Sequence, residues 1–205
     1  MRIAAIVAAT FGLMLAGLAL AEPAAGADLT VGITPEIGSV TVETEEGPME
    51  IRRNQEENHV LSGEFAKTSR ACPPFCIRPM ALGGGVTTIG ELELIAMLQE
   101  PEMAVVDSRM PDLHIAGSIP GAVNLPYFEM GERLTELGCE PDFDGWDCAA
   151  AKKVALFCNG PWCGQSPAAI RVMLDAGYPG DRIYWYRGGM QAWHMLGLTV
   201  TGAGG

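Results

Sequence analysis

The chain has 205 residues and a formal net charge of −12, with 48% hydrophobic and 19% charged residues. That balance accommodates a packed core and excludes wholesale disorder. Basic residues nowhere cluster beyond the pairs Arg52–Arg53 and Lys152–Lys153, which argues against nucleic acid or an anionic membrane surface as a partner.

The chain opens with "MRIAAIVAATFGLMLAGLALA": one positive charge at Arg2, an apolar run from Ile3 to Leu20, and a small-x-small ending at Ala19-Leu20-Ala21. This reads as a signal peptide over residues 1–21, cleaved after Ala21, with Ala25-Gly26-Ala27 as a second cleavage site and an uncleaved anchor as the alternative. The mature protein is expected to be periplasmic or otherwise exported, soluble, and free of the membrane after cleavage. Residues 22–86 are expected to form an N-terminal extension. It starts with a linker, Glu22 to Asp28, followed by a hairpin from Ser39 to Arg53 around Glu46-Gly47-Pro48. The acidic residues Glu43, Glu45, Glu46 and Glu50 read as a solvated edge rather than a cation site. From Asn54 to Gly85 the pattern is irregular, punctuated by "CPPFC" and "LGGG".

Order sets in at Thr87. Apolar residues at Ile89, Leu92, Ile95, Ala96 and Leu98 follow a helical period, with Thr87 or Thr88 as the expected cap and Glu91 nearby. Short buried strands are expected at Met103 to Val106, through Val123 and Leu125, at Val154 to Phe157, and in "DRIYWY". A helix follows in "SPAAIRVMLDAGY", with Ser166 as N-cap, Pro167 in its first position and Gly177 past its end. The Gly188-Gly189 turn leads to a last helix from Met190 to Leu196. Alternating strands and helices predict an α/β domain: a doubly wound, mainly parallel sheet flanked by helices.

In an exported chain the six cysteines meet an oxidising compartment. Cys72/Cys76 and Cys139/Cys148 read as local disulfides. No Cys/His set has the paired spacing of a zinc site, and His59, His114 and His194 are far apart in sequence, so neither metal nor cofactor is expected. Cys158 is different. It ends a buried strand and precedes a Gly-containing loop and a helix N-terminus, where N–H groups and the helix dipole favour a thiolate and a bound anion. Its pKa is expected to be lowered.

Taken in order, "VVDSR", "GSIPGAVNLP", "ALFCNGPWCGQSPAAIRVMLDAGY" and "YRGGMQAWHMLGL" resemble the rhodanese family of sulfurtransferase-like domains, over roughly residues 87–201. The resemblance implies that Cys158 is the catalytic cysteine, taking a sulfane sulfur as a persulfide from thiosulfate or a related anion and passing it to a thiol or other nucleophile. The loop Asn159, Gly160, Pro161, Trp162, Cys163, Gly164, Gln165 and Ser166 would bind the donor through its amides. Asp107 and Arg109 match the family's Asp-x-Arg strand end, read as a structural ion pair, and "GGMQAW" matches a motif read as structural.

This sequence departs from the family's pattern in three places. The commoner loop runs Cys-x-x-Gly-x-Arg-Ser, whereas Ser166 lies two residues further on; Gln165 stands where an Arg often precedes that Ser; and Ser118 takes the place of a usual His, with His114 nearby. Cys163 reads as a partner for Cys158, as a residue that resolves the persulfide, or as a packed bystander beside Trp162. The alternative function is therefore a non-catalytic or dithiol-redox module binding a partner protein through the extension. A phosphatase loop is less consistent, since no Arg lies between Cys158 and Ser166 to grip an oxyanion.

Overall fold

The computed structural model describes residues 29–202; the leader over residues 1–21 and the linker from Glu22 to Asp28 lie outside them. Alternating apolar residues on both sides of Gly47 form a hairpin, β1 (Ser39–Val42) and β2 (Met49–Arg52), with Val40 opposite Ile51. Its inward side chains Val42 and Ile51 are buried in the main core. Arg52 O accepts the Thr199 N–H at 3.0 Å and Asn54 N–H donates to Gly197 O at 2.6 Å. This part of the extension is thus packed onto the end of the chain, and Glu43, Glu45, Glu46 and Glu50 face solvent.

The principal sheet has five parallel strands. β3 (Thr87–Ile89), β4 (Met103–Asp107) and β5 (Val123–Asn124) come first. After a small hairpin of β6 (Glu140–Asp142) and β7 (Gly145–Asp147) follow β8 (Lys153–Phe157) and β9 (Ile183–Tyr186). The spatial order is β3-β9-β8-β4-β5, so β8 lies in the centre. Each central strand is apolar on both faces because helices cover both. Val154 and Leu156 join Val106, Ile183 and Trp185 against helix α3 (Gln165–Asp175). Ala155 and Phe157 join Val105 and Tyr186 against α1 (Glu91–Met97) and α4 (Gly189–Met195). Each large side chain so buried contributes about 1.5–3 kcal/mol.

The structure corrects the sequence reading at two helix starts. Thr87 and Thr88 do not cap α1. They pair with Tyr184 and Trp185 as the edge strand β3, in keeping with the extended backbone that β-branched residues favour. Helix α1 is entered at Gly90, whose N–H donates to Glu93 Oε2 at 3.0 Å. Ser166 does not cap α3 either: Gly164 is the N-cap and Ser166 sits inside the first turn. Pro167 is then third in the helix, where its missing N–H would have had no intrahelical partner. A short helix α2 (Pro111–Ala116) follows β4.

Cys72–Cys76 and Cys139–Cys148 are disulfides. The first closes an exposed turn of the extension. The second clamps the base of the β6–β7 hairpin, with both cysteines buried beside Leu134 and Leu137. Among the described residues no helix is long and apolar enough to cross a membrane, and no three His, Cys, Asp or Glu side chains group as metal ligands.

Candidate functional site

Strand β8 delivers Cys158 at its C-terminal end, where crevices form in open parallel sheets. The loop from Cys158 to Gly164 then turns back on itself: Cys163 N–H donates to Gly160 O at 2.9 Å. Two N–H groups from the start of α4 hold its first carbonyls, Met190 N–H to Cys158 O and Gln191 N–H to Asn159 O, each at 3.0 Å. This contact explains the Gly188-Gly189 turn. Gly189 has φ +55°, and a Cβ there would stand 2.3 Å from Cys158 O, so only glycine lets α4 approach the loop.

Both loop cysteines are free and nearly sealed, Cys158 at 2% and Cys163 at 5% exposure. Ser166, fully buried, donates its hydroxyl to Cys158 Sγ at 3.0 Å. Its oxygen simultaneously accepts Trp185 Nε1–H at 3.1 Å, which leaves the hydroxyl proton directed at the sulfur. Around Cys163 Sγ lie Asn159 Nδ2 at 3.9 Å and Gln165 Oε1 at 3.6 Å.

Each of the two sulfurs shifts the ionisation of the other. Burial pushes the Cys158 thiol well up, and the neighbouring Cys163 sulfur adds to the effect; the Ser166 hydroxyl and N–H work against it. Cys163 is drawn down to about 6, first by the hydrogen bond from Cys158 and then, against its own burial, by the N–H groups of Gln165 and Asn159. The lowered pKa expected of Cys158 is therefore found on Cys163 in the dithiol form. The physical reason is first the neighbouring Cys158 thiol and then the N–H groups of Gln165 and Asn159 around Cys163, while full burial acts on Cys158.

The extension reaches this loop. Arg78 N–H donates to Pro161 O at 2.8 Å, and Arg78 Nη2 lies 2.6 Å from where a Gly164 Cβ would stand. Arg78 Nε is buried without a partner. Phe75 packs edge-on against Trp162 at 4.9 Å, and the Arg70 guanidinium lies over the Trp162 ring at 4.7 Å. Trp162 Nε1–H donates to Gln191 Oε1. A cavity of ≈ 420 Å³ opens beside the loop, lined by Phe65, Arg70, Phe75, Asn159, Trp162 and His194 among others. A larger one of ≈ 720 Å³, between residues 52–65 and 194–200, touches neither cysteine. Sequence reasoning missed Arg70, Arg78, Gln191 and Trp185 as site residues; Trp185, in an apolar strand, reads as core, and Gln191 lies within "GGMQAW", read as structural.

Asp107 and Arg109 are brought together as a buried bidentate pair. Arg109 Nε donates to Asp107 Oδ1 at 2.9 Å and Nη2 to Oδ2 at 2.6 Å. Ser118 Oγ, at 2.8 Å, and His114 Nδ1, at 3.1 Å, complete the Asp107 shell. Burial opposes ionisation of Asp107, yet the bonds from His114, Arg109 and Ser118 hold its carboxyl below the usual range. Ser118 thus takes one bond to this carboxylate, tying the segment before β5 to the end of β4.

A family model described as Rhodanese-like domain matches residues 91–196. An HTH-type transcriptional regulator of Mycobacterium tuberculosis is 33% identical over 119 residues, 58% of this chain and 46% of its own; the chain spans about half the length of that curated relative. Among solved structures, a rhodanese-related protein from Thermoplasma volcanium is 28% identical, covering 56% of this chain and 97% of the other with a TM-score of 0.42. Thiosulfate sulfurtransferase from Pseudomonas aeruginosa is 25% identical, covering 57% and 20%, with a TM-score of 0.44. With more than half of its length matched by the family model, the chain belongs to the rhodanese-like domain family.

Proposed function

We propose that this protein is an exported sulfurtransferase in which Cys158 carries a sulfane sulfur. The observation that carries the reading is the Trp185–Ser166–Cys158 relay, which aims a buried hydroxyl proton at one sulfur at the end of the central strand. A hydrogen bond so fixed stabilises an anionic sulfur there, whether thiolate or persulfide. In the reduced pair the Cys163 sulfur takes up the proton that Cys158 gives, and where Cys163 is replaced that proton passes to solvent.

The Cys158 thiolate then attacks the outer sulfur of thiosulfate. The new Sγ–S bond forms as the bond to the sulfonate sulfur breaks, and that electron pair leaves with sulfite. An acceptor thiolate attacking the outer sulfur regains Cys158 as the thiolate and carries away the persulfide. Gln165 supplies no charge to hold the donor. Arg78, which has no acidic partner among the described residues, offers a guanidinium beside the first turn of α3, a position that suits an anion. Residues 70–79 would then bring the extension into donor binding.

Export rests on the leader-like residues 1–21 and fits a chain with two disulfides; a mature N-terminus at Glu22 in protein recovered from its own cells tests it. The chemistry is tested on single-cysteine variants reduced and desalted before exposure to thiosulfate. Cys163→Ser gains the mass of one sulfur and releases one sulfite, while Cys158→Ser does neither. A Cys163→Ser protein that takes no sulfur from thiosulfate, polysulfide or a persulfide overturns the reading.

A further inference from the structure

We propose that Cys163 resolves the Cys158 persulfide within the loop, releasing hydrosulfide and closing a Cys158–Cys163 disulfide, so that the protein reduces sulfane sulfur at the expense of a dithiol. The inference rests on the sulfurtransferase reading and deepens it by naming the acceptor and the class of partner.

The geometry separates these two cysteines from the other four. Cys72–Cys76 and Cys139–Cys148 are already bonded, whereas Cys158 and Cys163 are free and buried together. The Cys163 N–H to Gly160 O turn folds the loop back after Cys158, and the Cys163 sulfur lies near enough to push the Cys158 thiol up. Asn159 Nδ2 and Gln165 Oε1 flank Cys163 Sγ and define its place. A second nucleophile therefore stands beside the persulfide before any outside thiol enters.

Two sulfurs of the persulfide are open to attack. If Cys163 attacks the outer one, Cys158 must leave as a thiolate. Burial opposes that charge and the Ser166 hydroxyl only partly offsets it, so this route is the slower of the two. If Cys163 attacks Cys158 Sγ, hydrosulfide leaves instead, and thiols of lower pKa leave faster. Cys163, flanked by Asn159 Nδ2 and Gln165 Oε1 and drawn down by the N–H groups of Gln165 and Asn159, is the nucleophile available for the step.

The balance closes. The Cys163 Sγ–Cys158 Sγ bond forms, the bond from Cys158 Sγ to the outer sulfur breaks, and the electron pair departs with that sulfur, which takes a proton from solvent as hydrosulfide. Two cysteine sulfurs are oxidised to a disulfide and one sulfane sulfur is reduced to sulfide. A dithiol reductant then attacks the disulfide, restores both thiols by exchange and leaves as its own disulfide.

The test is a single turnover without added thiol. Reduced, desalted wild type is mixed with one equivalent of thiosulfate, sulfide is trapped and counted, and cysteine pairing is mapped in peptides. The expected result is one sulfide per chain with a new Cys158–Cys163 disulfide. Cys163→Ser, and independently Cys163→Ala, keep the sulfur on Cys158 and release none until a thiol is added. Wild type that retains the sulfur as a persulfide on either cysteine, releasing no sulfide, overturns the inference while leaving the sulfurtransferase reading intact. No sulfur uptake by any variant overturns that reading and this inference with it.

Discussion

Ser166→Ala tests whether the buried hydroxyl acts on sulfur or only fills a gap. The substitution removes two bonds at once, the acceptor of Trp185 Nε1–H at 3.1 Å and the donor to Cys158 Sγ at 3.0 Å. Trp185 is 1% exposed, so its indole N–H would be left in the core without a partner, a cost of about 1–3 kcal/mol. For a chain of this size that lowers Tm by about 2–12 °C. Separately, a hydrogen bond to an anionic sulfur is worth about 1.5–3 kcal/mol, and its loss slows persulfide formation by about 10- to 150-fold. The assay is single-turnover sulfite release in a Cys163→Ser background, beside thermal unfolding of the same proteins. Because Ser166 opposes the rise in the Cys158 pKa, the rate of the variant also recovers only at higher pH. A variant with the expected fall in Tm but an unchanged rate and pH profile would refute the reasoning and leave Ser166 as a partner for Trp185 alone.

Further measurements address the surrounding network. The ultraviolet absorbance of thiolate should appear in the reduced protein with a midpoint near the Cys163 value of about 6 and vanish in Cys163→Ser, where Cys158, freed of its charged neighbour, titrates lower than in wild type. If the low-pH thiolate persists in Cys163→Ser, the assignment of charge within the pair is wrong. Asp107→Asn strips the buried Arg109 of its counter-charge and should cost about 3–5 kcal/mol in denaturant unfolding. The Asp107 pKa is depressed, so its contribution is present above the ordinary range near about 4 and lost as pH falls through the folded value; the variant should accordingly lose less stability on acidification. Arg78→Met should raise the thiosulfate concentration for half-maximal rate by about fivefold, from about 1 kcal/mol of lost attraction, with little effect on an uncharged trisulfide donor. An equal loss for both donors would make Arg78 a packing residue.

Much of the sheet was legible because its signals are local. "KKVALFC" is too short and too apolar for a surface helix, and its β-strand ends at Phe157, as read, with Cys158 next. The misplacements fall where two local rules compete. Thr87 and Thr88 fit a cap and an edge strand equally well until β9 provides a partner. Ser166 before Pro167 carries the pattern of an N-cap, but the long loop closes two residues early, at Gly164, and frees the hydroxyl for Cys158. "CEPDFDGWDC" was legible as a disulfide loop; the β-hairpin inside it was not, since Pro141, Asp142 and Asp144 are poor strand formers and the cross-link supplies the order.

By itself the sequence determined the family and the place of the thiol: at the C-terminal end of a buried strand, before a helix, in the company of motifs that belong together. These are short-range facts, written in periodicity and in adjacent residues. Only the tertiary structure decided which groups surround each sulfur and what covers the loop. Both depend on groups far apart in the chain, Trp185 behind Ser166, Gly189 beneath the loop and Arg78 above it. Burial and hydrogen-bond direction act through space, and no spacing along the chain encodes them.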